Sequence, residues 1–190
     1  MPAKDPRTIT KWYDALSKNY EELYGEEQNK KHARVLMILG NRKFSLIIDV
    51  GCGTGKLLEL IAPRSQLGIG IDLSVQMLNN AKDRRTDSGI QLVRADASHL
   101  PLRDQIADAV TCVSMTESGP ALKAHLSELS RIATNDATLV LTIFDDKERT
   151  FQKQFNETCV DMVVELSDRE QLYSLDKAKH QVRAAPNPRL

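Results

Sequence analysis

The residues best able to do chemistry lie in one stretch, Asp49-Val50-Gly51-Cys52-Gly53-Thr54-Gly55-Lys56. The apolar run Leu46-Ile47-Ile48 feeds into it, and residues suited to a helix follow. Glycines let a backbone turn with positive φ and let a ligand approach it closely. A helix start adds unpaired amide donors. A loop of this kind suits an adenosine nucleotide, and three ligand types compete for it. A phosphate-cradling loop needs G-x-x-x-x-G-K-[ST], but Val50 stands at its first glycine and Leu57 at its hydroxyl residue. A dinucleotide loop needs G-x-G-x-x-G, and Lys56 stands where its third glycine belongs. Asp49 adds a constraint of its own, because a carboxylate in an apolar strand is costly unless something satisfies it.

The third possibility rests on spacing. Asp49, Gly51, Gly53 and Gly55 match [D/E]-x-G-x-G-x-G at every fixed position. Asp72 closes Gly68-Ile69-Gly70-Ile71-Asp72, and Asp96 follows in Arg94-Ala95-Asp96-Ala97. Ala107–Ser114 and then Leu129–Ala133, leading into Thr138–Phe144, complete the series. Together these segments resemble the class I S-adenosylmethionine-dependent methyltransferases, as a small, archaeal-like member. The resemblance is firm over residues 46–145 and weaker to about 179. It implies S-adenosylmethionine as cofactor, with Asp49 orienting the methionine amino end and Asp72 accepting both ribose hydroxyls. It further implies Asp96 at the adenine amino group, with the amide of Ala97 at the ring and Leu73 and Met77 flanking it. The cofactor-binding set expected on this basis is Asp49, Gly51, Cys52, Gly53, Gly55, Asp72, Leu73, Met77, Asp96, Ala97 and Ser114. Asp108 reads as a structural acid at a strand start. Tyr13-Asp14, Tyr20 and Tyr24 resemble an N-terminal helix that lies over the cofactor as a lid. A plain aromatic stripe packed on the domain has the same spacing.

The implied reaction is in-line displacement at a sulfonium methyl group, where the protein mainly aligns the partners and excludes water. The acceptor side falls at Ser114-Met115-Thr116-Glu117-Ser118-Gly119-Pro120, which lacks the [N/D/S]-P-P-[Y/F/W] of family members that methylate planar amide or exocyclic amino nitrogens. Glu117 is the candidate catalytic residue there, with a solvated loop acid as the alternative. Little chain remains beyond the core. The acceptor is therefore expected to be small, or RNA or protein of the translation machinery delivered with a partner. By analogy that partner is a small zinc-ribbon activator adding a strand at the Ile90–Ala95 edge. Two other readings stay open: a cofactor-binding subunit without turnover, and an NAD-dependent oxidoreductase, which Lys56 opposes.

The elements that must position these residues alternate in type. Helices are expected over 9–24 and 26–39, the second stopped by Gly40. A buried strand follows at 46–50, then a helix at 56–62, a strand at 67–73 and a helix at 74–85 with Ser74 as N-cap. Strands at 90–95, 109–114 and 138–144 and a helix at 121–133 continue the pattern. The tail offers a short helix at 150–156 and an antiparallel pair at 159–166 and 171–175. The fold class is α/β: a three-layer Rossmann-like doubly wound sheet, mostly parallel with an antiparallel edge strand, plus N-terminal helices. One domain spans 1–190, with helices at 9–39, the core at 46–179 and a flexible tail at 180–190.

Composition bounds the partners. In 190 residues, 26 basic side chains balance 26 acidic ones, which argues against strong nonspecific nucleic-acid binding. The sum conceals a gradient: residues 1–45 carry nine basic and six acidic side chains, and residues 101–145 three and six. No run of 18 apolar residues or signal-like N-terminus appears, so no membrane role and a cytoplasmic location are expected. Cys52, Cys112 and Cys159 read as reduced, packed thiols, and with four histidines no metal-ligand cluster suggests itself.

Overall fold

The computed structural model describes residues 6–84, 89–117, 120–144, 162–167 and 170–176. Two helices, α1 (Pro6–Leu16) and α2 (Tyr20–Leu39), precede β1 (Phe44–Val50). Then come α3 (Lys56–Ile61) with a 3-10 turn at Ala62–Arg64, β2 (Ser65–Asp72), α4 (Val75–Asp83) and β3 (Ile90–Arg94). β4 (Ala107–Glu117), α5 (Pro120–Ile132), β5 (Ala133–Phe144), β6 (Met162–Ser167) and β7 (Glu170–Asp176) complete the chain. The strands form one sheet in the order β3-β2-β1-β4-β5-β7-β6. β1 to β5 run parallel, and β7 runs antiparallel to both β5 and β6. The expected doubly wound sheet and antiparallel pair are therefore present. No helix among the described residues is long and apolar enough to cross a membrane.

The central strands are apolar on both faces because both faces are covered. Ile47, Ala109, Val113 and Val140 pack with Val35 and Leu39 of α2 and with Leu57, Leu58 and Ile61 of α3. Their neighbours Ile48, Val110, Cys112, Leu139 and Leu141 pack with Leu122, Leu126, Leu129 and Ile132 of α5. Strand order reverses between β1 and β4, where an open α/β sheet leaves a crevice beyond its strand ends.

The N-terminal helices divide earlier than their apolar stripe predicts. The Ser17 hydroxyl donates to the Asp14 carbonyl at 2.8 Å, and Asn19 N–H donates to the Leu16 carbonyl at 2.9 Å. Ser and Asn compete for backbone groups in this way and end helices. α2 then runs through Gly25, which the expected boundary near Glu26 had treated as a break. Gly40, with φ of 57°, ends α2 as expected. β4 and β5 are longer than anticipated, extending to Glu117 and back to Ala133. Glu117 thus stands on the strand opposite Phe144 instead of in the loop after it. The 150–156 helix, the tail at 180–190 and Cys159 lie outside the described residues.

Candidate functional site

The glycine loop turns over the end of β2, and a single carbonyl fastens it there. Ile71 O accepts from Gly51 N–H at 2.7 Å and from Cys52 N–H at 2.9 Å. Gly51, Gly53 and Gly55 all have positive φ, at 75°, 53° and 76°. Two of the three also lack room for a side chain. A Cβ on Gly51 would come 2.8 Å from Met115 Cβ, and one on Gly55 would come 2.9 Å from Ala81 Cβ. Gly55 therefore lets the start of α3 lie against α4, and Gly51 lets the loop pass beneath Met115.

Two acids meet at this loop. Asp72 Oδ2 accepts from Gly53 N–H at 2.9 Å, and its Oδ1 accepts from Ser74 N–H at 2.8 Å. One carboxylate thus ties the glycine loop to the start of α4. Burial raises its pKa, and the amides of Ser74, Gly53 and Leu73 restrain the rise. Asp49 is only 2% exposed at the end of β1 and accepts from the Thr111 hydroxyl at 2.6 Å. Burial pushes its carboxyl up to about 7; the Thr111 bond opposes the shift and the charge of Asp72 adds to it. Cys52 packs downward, with its Sγ 2.9 Å from where a Cβ on Gly70 would stand. Burial holds its thiol well above the usual range.

A cavity of about 370 Å³ opens over the loop, with Asp49, Gly51, Cys52, Gly53 and Thr54 on one side. The other wall is α2, through Tyr20, Gly25, Gln28, Asn29 and His32. The helix is fixed there at both ends. Asp14 of α1 accepts from the Ser74 hydroxyl at 2.5 Å and from Gln76 N–H at 3.3 Å, so α1 helps cap α4. The rings of Tyr13, Tyr20 and Tyr24 run together, with centroids 6.4 and 5.3 Å apart, and burial raises the phenol of Tyr20 near Asp72. At the far end Lys31, 3% exposed, reaches Glu170 Oε2 of β7 at 2.6 Å, and Glu170 is 1% exposed. Lys31 also donates to Ser114 Oγ at 2.7 Å and pairs with Glu27 at 2.6 Å.

The structure gathers some of the anticipated residues and separates others. Asp49, Gly51, Cys52 and Gly53 line the cavity; Asp72 and Gly55 stand outside its lining, Asp72 holding the Gly53 amide and Gly55 packing against Ala81. Asp96 lies beyond β3, where its carboxylate accepts from Ser98 N–H at 2.8 Å and from Ser98 Oγ at 2.6 Å. Burial opposes ionisation there, but the Ser98 bonds keep the carboxyl below its usual range. Ala97 is buried beside it, Met77 is buried at the start of α4, and Leu73 is half-buried with its carbonyl taking Arg94 Nε. Ser114, at φ of 57° in a bulge of β4, turns its hydroxyl into the Lys31 network. Bulges commonly re-aim strand residues beside sites. Asp108 is structural as expected, accepting from the amides of Ser45 and Leu46 at 2.7 and 3.0 Å. The side chain of Glu117 lies outside those described. Gln28, Lys31 and His32 were missed. Their signal is that His32 shares the inward face of α2 with Val35 and Leu39, and Lys31 adjoins it.

This donor set fits S-adenosylmethionine. Asp49 is an under-satisfied buried acid for an ammonium, the loop has space only because it lacks side chains, and Asp72 keeps lone pairs for hydroxyl donors. Comparison with known proteins points the same way. Residues 48–141 match the family model described as a methyltransferase domain. A demethylmenaquinone methyltransferase of Thermobifida fusca is 30% identical over 74% of this chain and 63% of its own length. An uncharacterized protein of Methanocaldococcus jannaschii is 26% identical over 71% of this chain and 51% of its own. The chain thus spans between half and two-thirds of those two relatives. In fold it matches the magnesium protoporphyrin IX methyltransferase of Synechocystis PCC 6803 with bound S-adenosylmethionine, at TM-score 0.71 and 19% identity, over 93% of this chain and 99% of that one. It also matches a chain in the complex of the Haloferax volcanii Trm112 methyltransferase activator with a methyltransferase, at TM-score 0.68 and 16% identity, over 87% and 97%. Residues 48–141 of this chain thus match the methyltransferase domain family, and its fold is that of the solved methyltransferases.

Proposed function

We propose that the protein binds S-adenosylmethionine over the Gly51–Gly55 loop and transfers its methyl group to an acceptor entering past the end of β4. The observation carrying this reading is the pair of acids. Asp49 is buried with Thr111 as its one hydrogen-bond partner among the described residues, and Asp72 bridges the loop and α4. The carboxylate of Asp49 holds the ammonium of the methionine end, and Asp72 takes the ribose hydroxyls. When bound, the sulfonium supplies an already activated methyl group. The chain contributes position and dryness: α2 and the loop hold the donor still and keep water off it. Glu117, at the end of β4, is the acceptor-side acid on this reading.

The test is titration calorimetry with S-adenosylmethionine, followed by incubation of the wild type and Asp72→Ala with methyl-labelled cofactor and separated RNA, protein and small-molecule fractions. Binding and labelling that both vanish in Asp72→Ala support the proposal. Binding without label in any fraction favours a non-catalytic subunit, and no binding overturns the reading.

The edge of the sheet supports a partner as well. Among the described residues β3 pairs only with β2, and Leu92 and Val93 on it are half-buried. An unpaired edge of this sort accepts an added strand. A small activator protein of the kind bound to the Haloferax volcanii neighbour is the partner this edge would take. A rise in melting temperature on mixing with such an activator supports that, and an unchanged melt removes it.

A further inference from the structure

One buried group on the cavity wall has no task in the reading above. His32 is 7% exposed on α2, and its Nδ1 is sealed from solvent without a hydrogen-bond partner among the described residues. The same ring lines the cavity with Asp49, Gly51, Gly53 and Lys56. Burial first, and then Lys31 and Lys56, pull its pKa down to about 4, so the ring is neutral at pH 7. A neutral imidazole carries one N–H. With Nδ1 enclosed by protein, Nε2 is the nitrogen left to meet a ligand.

The amino-acid end of the cofactor brings an ammonium and a carboxylate into this space. Asp49 on the wall suits the ammonium, whereas Glu21 and Glu26 are paired with Arg84 and Lys30. The carboxylate needs donors, but Lys56 pairs with Glu59 at 3.1 Å and Gln28 donates to Ser114 at 3.0 Å. That leaves Tyr20, Asn29, Thr54 and His32 on the wall, and of these only His32 has a buried ring nitrogen without a partner among the described residues. Nδ1 of this ring has no partner among the described residues, and a buried lone pair without a partner is less costly than a buried N–H, which places the proton of the neutral ring on Nε2. We infer that His32 donates its Nε2–H to the methionine carboxylate, so that α2 reads the amino-acid end of the cofactor as well as covering it. This inference rests on S-adenosylmethionine being the cofactor.

Calorimetry on the full chain with two ligands tests it: S-adenosylmethionine, and its decarboxylated form, which keeps the ammonium. His32→Phe keeps a ring of similar size and loses the donor. Affinity for S-adenosylmethionine should fall about tenfold or more, as for a hydrogen bond to a charged group. Affinity for the decarboxylated ligand should not change. His32→Gln, which retains an N–H, should recover part of the loss. If the phenylalanine variant does not fold, His32→Leu against His32→Gln makes the same comparison. Equal losses for both ligands, or an unchanged affinity for S-adenosylmethionine, overturn the role of His32 alone. A wild type that binds neither ligand overturns the cofactor reading, and this inference falls with it.

Discussion

Beyond β1, β2 and β3, a ligand would meet mostly backbone: three glycines at positive φ, the amide of Gly53 and a carboxylate that fastens it. Beyond β4, β5 and β7, it would meet side chains drawn from distant parts of the chain. Lys31 reaches Glu170 there, and the Ser114 hydroxyl, 83 residues away in sequence, joins them. The first side is made by local chain geometry and holds its shape wherever the loop sits. The second exists only while α2 stays in place. The loop side of the cavity can therefore be nearly complete in one segment, while its other wall depends on a helix that must be held down.

The sharpest way to break this contrast is at the buried ion pair. Lys31→Met leaves the Glu170 carboxylate buried without its cation and should cost about 3–5 kcal/mol in urea unfolding, with Lys31→Met/Glu170→Leu recovering most of it. A loss below about 1 kcal/mol would mean that the cofactor side alone holds α2. Next in size is Gly51→Ala, which meets both a left-handed backbone and Met115, and should cost about 2 kcal/mol. Gly53→Ala has the same kind of φ but nothing within 4 Å, so it should lose only about 1 kcal/mol in the same assay.

A third effect depends on pH. Because the folded pKa of Asp49 is raised to about 7, its contribution to stability is full below about 4 and is lost as pH rises through 7. An ammonium ligand wants the ionised form. Cofactor affinity should therefore fall about tenfold per pH unit below 7 and level off above it, and Asp49→Asn should flatten the profile. Asp14→Ala removes the contact of α1 with the cap of α4 and should cost, like Gly53→Ala, about 1 kcal/mol by thermal melting. An undiminished melt would show that α1 adds nothing to the cofactor side.

The same division explains what could be read from the chain alone. The turn of the glycine loop and the strand-end places of Asp49 and Asp72 beside it were legible because they follow from short spacings and a change of period. The strands were legible because a strand buried on both faces is continuously apolar. Asp108 was legible too, since an acid at a strand start with free amides nearby has an obvious partner. The break at Ser17–Asn19 was hidden by an apolar stripe that continues across it in register. Lys31 could not be assigned, because a lysine on a helix reads as solvated until the strand that buries its partner is placed. Asp96 and Ala97 stand at the expected point of the fold, yet the short-range bonds of Asp96 to Ser98 occupy the carboxylate in a way that spacing does not foretell.

Cys52 turns the glycine loop into its own reporter. Although Cys52 borders the cavity, its thiol packs against Gly70, buried and held in the protonated form, so a thiol reagent reacts with it faster when the loop lifts from β2. The rate of alkylation at Cys52 is then a clock for that opening. A ligand that closes the loop slows the clock by the same factor by which it suppresses the open state, and no label needs to be engineered into the protein to read it.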